Sequence, residues 1–99
     1  MASVKSSLMP SELSVLMNIV AERFRDAEHD QGFAIRHSVL HMAKTMGLLA
    51  TECESFDHGT SVNVVALREA TIKMLNNTLK LANDLQMSAD ELAAGVGKA

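Results

Sequence analysis

Apolar residues recur at three- and four-residue steps near the start of the chain: Leu13, Leu16, Val20 and Phe24. This is the period of one face of an α-helix. Pro10 and Glu12 stand at the start of the stretch, where proline and acidic residues favour the first helical turn. The pattern predicts a helix over 11–28, preceded by a flexible arm at 1–10.

The middle of the chain carries a stricter pattern, in which seven apolar residues alternate steps of four and three. Such steps define the a and d positions of a heptad repeat, whose narrow apolar stripe needs a long partner helix beside it. We call these residues the heptad seam: Ile35, Val39, Met42, Met46, Leu49, Cys53 and Phe56. The pattern predicts a continuous helix over 34–56, with the middle of the seam, from Val39 to Leu49, buried together.

A third apolar pattern covers 62–86, and its apolar residues spread over an arc of roughly 200°, wider than a surface helix needs. This helix should contact two neighbours. Ser88 and Glu91 match the S-x-x-E capping box and predict a short fourth helix over 88–94, followed by a frayed tail at 95–99. The sequence thus predicts an all-α fold: a small antiparallel bundle of three main helices plus a short C-terminal helix, in one domain over 11–94.

Composition and charge argue against several classes of function. The formal net charge is −3, whereas nucleic-acid binding usually relies on a surplus of clustered Lys and Arg. Cys53 is the only cysteine, so no internal disulfide can form. The pattern shows no secretory signal and no membrane span. We therefore expect a cytoplasmic protein that binds neither nucleic acid nor a membrane directly.

Two histidines, His37 and His41, lie four residues apart beside the heptad seam. They can share a zinc ion, but such a site needs a third protein ligand that the sequence does not identify, so we expect no metal and no cofactor. A second interpretation is phosphotransfer. His41 with Lys44 and Thr45 resembles the first half of the motif of histidine-containing phosphotransfer domains, and His37 with Gly47 resembles the second half. The resemblance implies a four-helix signalling domain phosphorylated on His41 or His37.

A pair of acids, Glu54 and Asp57, resembles the E-x-x-D element of small all-α nucleoside triphosphate pyrophosphatases, whose carboxylates hold Mg²⁺ beside the phosphates. The predicted third helix, over 62–86, is where a second pair should follow, and it offers Glu69 alone. The resemblance therefore implies at most a degenerate, inactive relative. With no other catalytic group assembled, we do not expect an enzyme.

The wide apolar arc of the third helix predicts self-association, because a fourth helix of only about six residues after its Ser88 cap cannot cover what the first two helices leave open. We expect a homodimer whose interface includes an arginine at the margin of the arc and four apolar residues: Leu67, Arg68, Met74, Leu81 and Leu85. The predicted function is that of a non-enzymatic protein-interaction module, acting as an adaptor, a regulatory subunit or a compact inhibitor of a larger complex.

Overall fold

The computed structural model describes residues 10–25, 30–59 and 61–98 and contains four α-helices. They are α1 (Pro10–Arg23), α2 (Gln31–Asp57), α3 (Val64–Asp84) and α4 (Ala89–Val96). The described ranges contain no strand, so the predicted all-α class is confirmed. Of the predicted N-terminal arm, residues 1–9 lie outside the described residues, and Pro10 is already helical.

Three of the helices begin where a side chain accepts a hydrogen bond from the backbone of the first turn. Asp30 Oδ1 accepts from the Phe33 N–H at 2.8 Å, so α2 begins three residues earlier than predicted. Asn63 Oδ1 accepts from the Ala66 N–H at 3.0 Å and caps α3. Ser88 Oγ accepts from Glu91 N–H at 3.0 Å, as the capping-box pattern predicts for α4. These side chains satisfy backbone donors that a helix start would otherwise leave without a partner.

The helix ends differ more from the predicted bounds. α1 stops at Arg23, and the backbone turns at Phe24 and Arg25, where the prediction continued the helix. The rest of the predicted helix, residues 26–28, lies outside the described residues. α2 ends before Gly59, whose φ of 92° lies in the left-handed region that glycine adopts most easily. α4 continues through Gly95 to Val96, so part of the predicted frayed tail is helical.

α2 packs most extensively against α3, and the two helices meet through small and polar side chains. Ser38 is 1% exposed and donates to Asp84 Oδ2 at 2.6 Å, while Lys80 Nζ donates to Ser38 Oγ at 2.9 Å. About two turns of α2 further on, Asn77 Nδ2 donates to Thr45 Oγ1 at 3.2 Å. The residue numbers of the α3 partners therefore decrease as the residue numbers along α2 increase. Ala34 and Ala70, both buried, fit the close approach of the two helices.

The apolar core lies elsewhere, between α1, the C-terminal half of α3 and α4. Its buried members are Met17 and Val20 of α1 with Leu79 and Ala82 of α3. Half-buried apolar residues of α1, α4 and the turns complete it: Leu13, Phe24, Met87, Ala89 and Leu92. α3 thus contacts α2 with one side and α1 with another, as its wide apolar arc predicts.

The predicted burial of the heptad seam is wrong for the single chain. Val39 and Met46 are 48% and 56% exposed, and Met42 and Leu49 are only half-buried. The physical reason is that α2 presents its small and polar line, which includes Ser38 and Thr45, to α3. Through Ser38 that line gains hydrogen bonds to the Lys80–Asp84 ion pair of α3, and this orientation of α2 turns the more apolar seam toward solvent.

Candidate interaction surface

The heptad seam lies beside the line of α2 residues that contact α3, and it is rotated from that line in one direction around the helix axis. Val39 and Met42 follow Ser38 by one and four positions, and Met46 and Leu49 follow Thr45 in the same way. On a helix these steps place a residue about 100° and 40° further round. The seam therefore runs along one flank of α2 and stays accessible along the length of the helix.

Four of the residues predicted for an interface occupy the equivalent flank of α3. Met74 and Leu81 follow Ala70 and Asn77, the contact residues of α3, by four positions, so they are displaced in the same sense. Leu67 continues this row toward the start of the helix, and Leu85 follows its end. The structure leaves Leu67, Met74 and Leu81 half-buried, Leu85 47% exposed, and the neighbouring Arg68 exposed.

The two rows lie on the same side of the α2–α3 pair. Evidence comes from the opposite flanks of both helices, which line one cleft: Lys44 and His41 of α2 face it together with Lys73 and Asn76 of α3. Arg23 and Phe24, at the end of α1, close this cleft. Because α1 and the cleft take one side of the pair, the seam and the α3 row share the other. We call this combined surface the apolar face.

The cleft on the α1 side is basic. It has a volume of about 320 Å³, and its lining includes the cationic or protonatable side chains of Arg23, His41, Lys44 and Lys73. None of the described residues lining it is a carboxylate. Lys73 also borders a second cavity together with Glu52 and Glu69, which offset part of its charge. The arrangement can hold an anionic group.

The two histidines are joined to each other. One Nε2 donates to the other across 3.0 Å, and the His37 ring stacks on Phe33 with 5.3 Å between ring centroids. His37 is half-buried and His41 is exposed. Of the residues predicted for phosphotransfer, His41 and Lys44 thus both line the basic cleft. His37 lies one turn away on α2, and its Nε2 atom is hydrogen-bonded to the Nε2 atom of His41.

The acidic pair of the pyrophosphatase resemblance lies at the exposed end of α2. Glu54 and Asp57 are both exposed, and Glu69 lies on α3 beside the second cavity, whose lining includes neither of them. In the part of the chain that the structure describes, no three His, Cys, Asp or Glu side chains are grouped closely enough to hold a metal ion.

Sequence reasoning missed the polar contact of α2 with α3. Ser38, Lys80 and Asp84 look like solvated surface residues one by one, yet Ser38 and Lys80 are buried and bonded to each other. A usable signal exists in the spacing. Lys80 and Asp84 stand four apart on one helix face, as ion-paired residues do, and Ser38 and Thr45 repeat one heptad apart on α2.

Comparisons with protein families, curated proteins and solved structures found no match to this chain. Among the described helices, none has the length and apolar character needed to cross a membrane.

Proposed function

We propose that the protein is a self-associating helical interaction module, built as an antiparallel bundle of its three main helices, and that the apolar face is its binding surface. The antiparallel arrangement is supported by the α3 partners, whose residue numbers decrease along α2 from Asp84 at Ser38 to Asn77 at Thr45. The observation that carries the proposal is the exposure of Val39 and Met46, at 48% and 56%, in a pattern typical of helices that pack along their length.

The apolar face is large enough for a stable interface. The seam spans 21 residue steps, from Ile35 to Phe56, which is about 32 Å of helix. Two helices with axes about 9 Å apart give a surface roughly 20 Å wide, so the face covers on the order of 600 Å² in projection. A standard interface buries about 800 Å² of accessible surface per partner, and side-chain relief supplies the difference.

A second copy is the occupant that we propose. Contiguous exposed apolar patches of this length are unusual on monomers and mark interaction sites. Closed two-fold symmetry is the commonest way to cover such a face, because one surface then serves as both halves of the interface. The biological role would be binding, as a cytoplasmic adaptor, regulatory subunit or compact inhibitor of a larger complex, with the dimer as the functional unit.

Light scattering at micromolar and at submillimolar concentration tests the proposal. We expect the wild type to reach twice the mass of the chain, and the double variant Val39→Glu with Met46→Glu to stay folded and monomeric. Both positions are already about half exposed, so glutamate there does not open a core. Val65→Glu with Ile72→Glu is the matched control, since these residues are 66% and 63% exposed but lie away from the apolar face. A wild type that is monomeric at both concentrations refutes the proposal.

A second candidate, histidine phosphotransfer, is favoured by one observation: His41 and Lys44 line a cleft that can hold an anion. The Nε2 atom of His41 is engaged by His37 at 3.0 Å, so phosphorylation there would require that hydrogen bond to break. Labelling with acetyl phosphate tests this candidate. Incorporation that His41→Gln abolishes and His58→Gln preserves would support it, and no incorporation in the wild type would exclude it under those conditions.

A further inference from the structure

We propose that two copies dock with their α2 helices antiparallel, on a two-fold axis level with the midpoint between Met46 and Gly47, so that Arg36 of each subunit faces Asp57 of the partner subunit. This inference rests on the proposed self-association and names the register of the dimer.

The register follows from a second row on α2, which we call the outer row: Arg36, Ala43, Ala50 and Asp57. Each member directly follows a d residue of the heptad seam, so the row occupies the e positions. It lies on the side of the seam away from α3, and all four residues are exposed. Residues at e flank the apolar contact in a helix pair and set the orientation of the partner by charge.

The outer row is complementary to the same row of a second, antiparallel copy. Arg36 and Asp57 are equally far from the midpoint between Met46 and Gly47, and so are Ala43 and Ala50. A two-fold axis at that level therefore puts opposite charges together at both ends and two small alanines together in the middle, where the helices must approach closely. A parallel pair would instead bring each arginine level with the same arginine of the partner subunit.

Both charged ends are available for this contact. Arg36 and Asp57 are exposed, and neither takes part in an ion pair within the described residues. Two-fold symmetry makes the contact twice per dimer. Exposed ion pairs contribute little affinity, so the apolar face supplies the binding energy and the charged ends select the register.

The same axis is consistent with the row on α3. Thr45 bonds to Asn77 across the α2–α3 contact, and Ser38 bonds to Lys80, so the level of Met46 and Gly47 falls near Met74. A two-fold axis there places Met74 beside Met74 of the partner subunit. Leu67 then lies at the level of Leu81 of the partner subunit, because these two leucines are equally far from Met74 in sequence.

Oxidative cross-linking distinguishes this register from a parallel one. In the antiparallel dimer the two native Cys53 side chains are about 20 Å apart along the axis, too far for a disulfide, which needs Cα atoms within about 7 Å. In a parallel dimer they lie level and can be oxidised to a disulfide. We expect no covalent dimer of the wild type under mild oxidation, and ready cross-linking of Met46→Cys in a Cys53→Ser background. Ile72→Cys in that background is the control, near the level of the axis but outside the face.

Charge reversal gives an independent readout. Arg36→Glu alone and Asp57→Lys alone should each weaken the dimer about tenfold at low salt, because each change places like charges together twice per dimer. The double variant should return to within about threefold of the wild type. A wild-type dimer that cross-links through Cys53, or a double variant no tighter than the single ones, overturns the register while leaving self-association in place. A monomeric wild type overturns both.

Discussion

Replacing Asp84 should show how much of the stability rests on the polar contact between α2 and α3. Its carboxylate accepts hydrogen bonds from Ser38 Oγ at 2.6 Å and from Lys80 Nζ at 3.1 Å. The side chains of Lys80 and Asp84 are only 7% and 15% exposed. Asp84→Ala therefore removes a carboxylate partner of an ammonium group that stays buried. Among the described residues, few apolar side chains are buried and could compensate for this loss.

The expected cost follows from this geometry. Removing one partner of a buried ion pair typically destabilises a protein by about 3 to 5 kcal/mol. Lys80 keeps its hydrogen bond to Ser38, at 2.9 Å, and Asp84 is not completely buried, so the low end applies. A loss of about 3 kcal/mol is a large part of the stability of a small domain and should lower its melting temperature by at least about 12 °C.

A double variant separates charge from packing. Lys80→Met with Asp84→Leu removes both charges and keeps apolar volume, and buried ion pairs replaced in this way usually cost little. We expect it to recover about 2 kcal/mol of the loss seen in Asp84→Ala. Urea unfolding followed by circular dichroism measures both, at one protein concentration because self-association shifts apparent stability. A loss below about 1 kcal/mol in Asp84→Ala, or a double variant that is no more stable, would contradict the reasoning.

Four further outcomes are expected. His37→Ala with His41→Ala should change the free energy of unfolding by less than about 1 kcal/mol, because the hydrogen bond between the two rings is exposed. EDTA should leave the wild-type melting curve unchanged, and a lower melting temperature on chelation would point to a bound metal. Gly59→Ala should cost about 1 kcal/mol in thermal unfolding, because its φ of 92° is strained for alanine although a Cβ there meets no atom; an unchanged stability would show that the turn relaxes. The wild-type melting temperature should rise with protein concentration, and Val39→Glu with Met46→Glu should abolish that dependence.

The helices could be predicted from the sequence because their signals are local. Ser88 with Glu91 marks the start of α4, and Gly59 marks the turn after α2, without reference to the rest of the fold. The early end of α1 at Arg23 was not predictable from periodicity, since Phe24 continues the apolar pattern after the helix has stopped. Phe24 instead packs on the apolar core from the turn.

The orientation of α2 could not be predicted because burial depends on the partner helix. Judged by hydrophobicity, the seam with Val39 and Met46 should face α3, and Ser38 and Thr45 should face water. The α3 residues that face this line include Asn77 and Lys80, which form hydrogen bonds across the contact only if α2 presents polar groups there. Once those groups are buried together, each must keep its partner, since an unsatisfied buried polar group costs more than an exposed apolar side chain.

This choice of contact links the fold to the proposed function. A heptad pattern shows which residues of a helix repeat on one face, but it does not show which helix packs against that face. Here the intramolecular partner α3 takes the small and polar line, so the repeat at Val39 and Met46 is left for a helix outside the chain. When a second copy is placed antiparallel, the outer row pairs Arg36 with Asp57 and Ala43 with Ala50. This self-complementarity is why a second copy suits this face better than an unrelated helix.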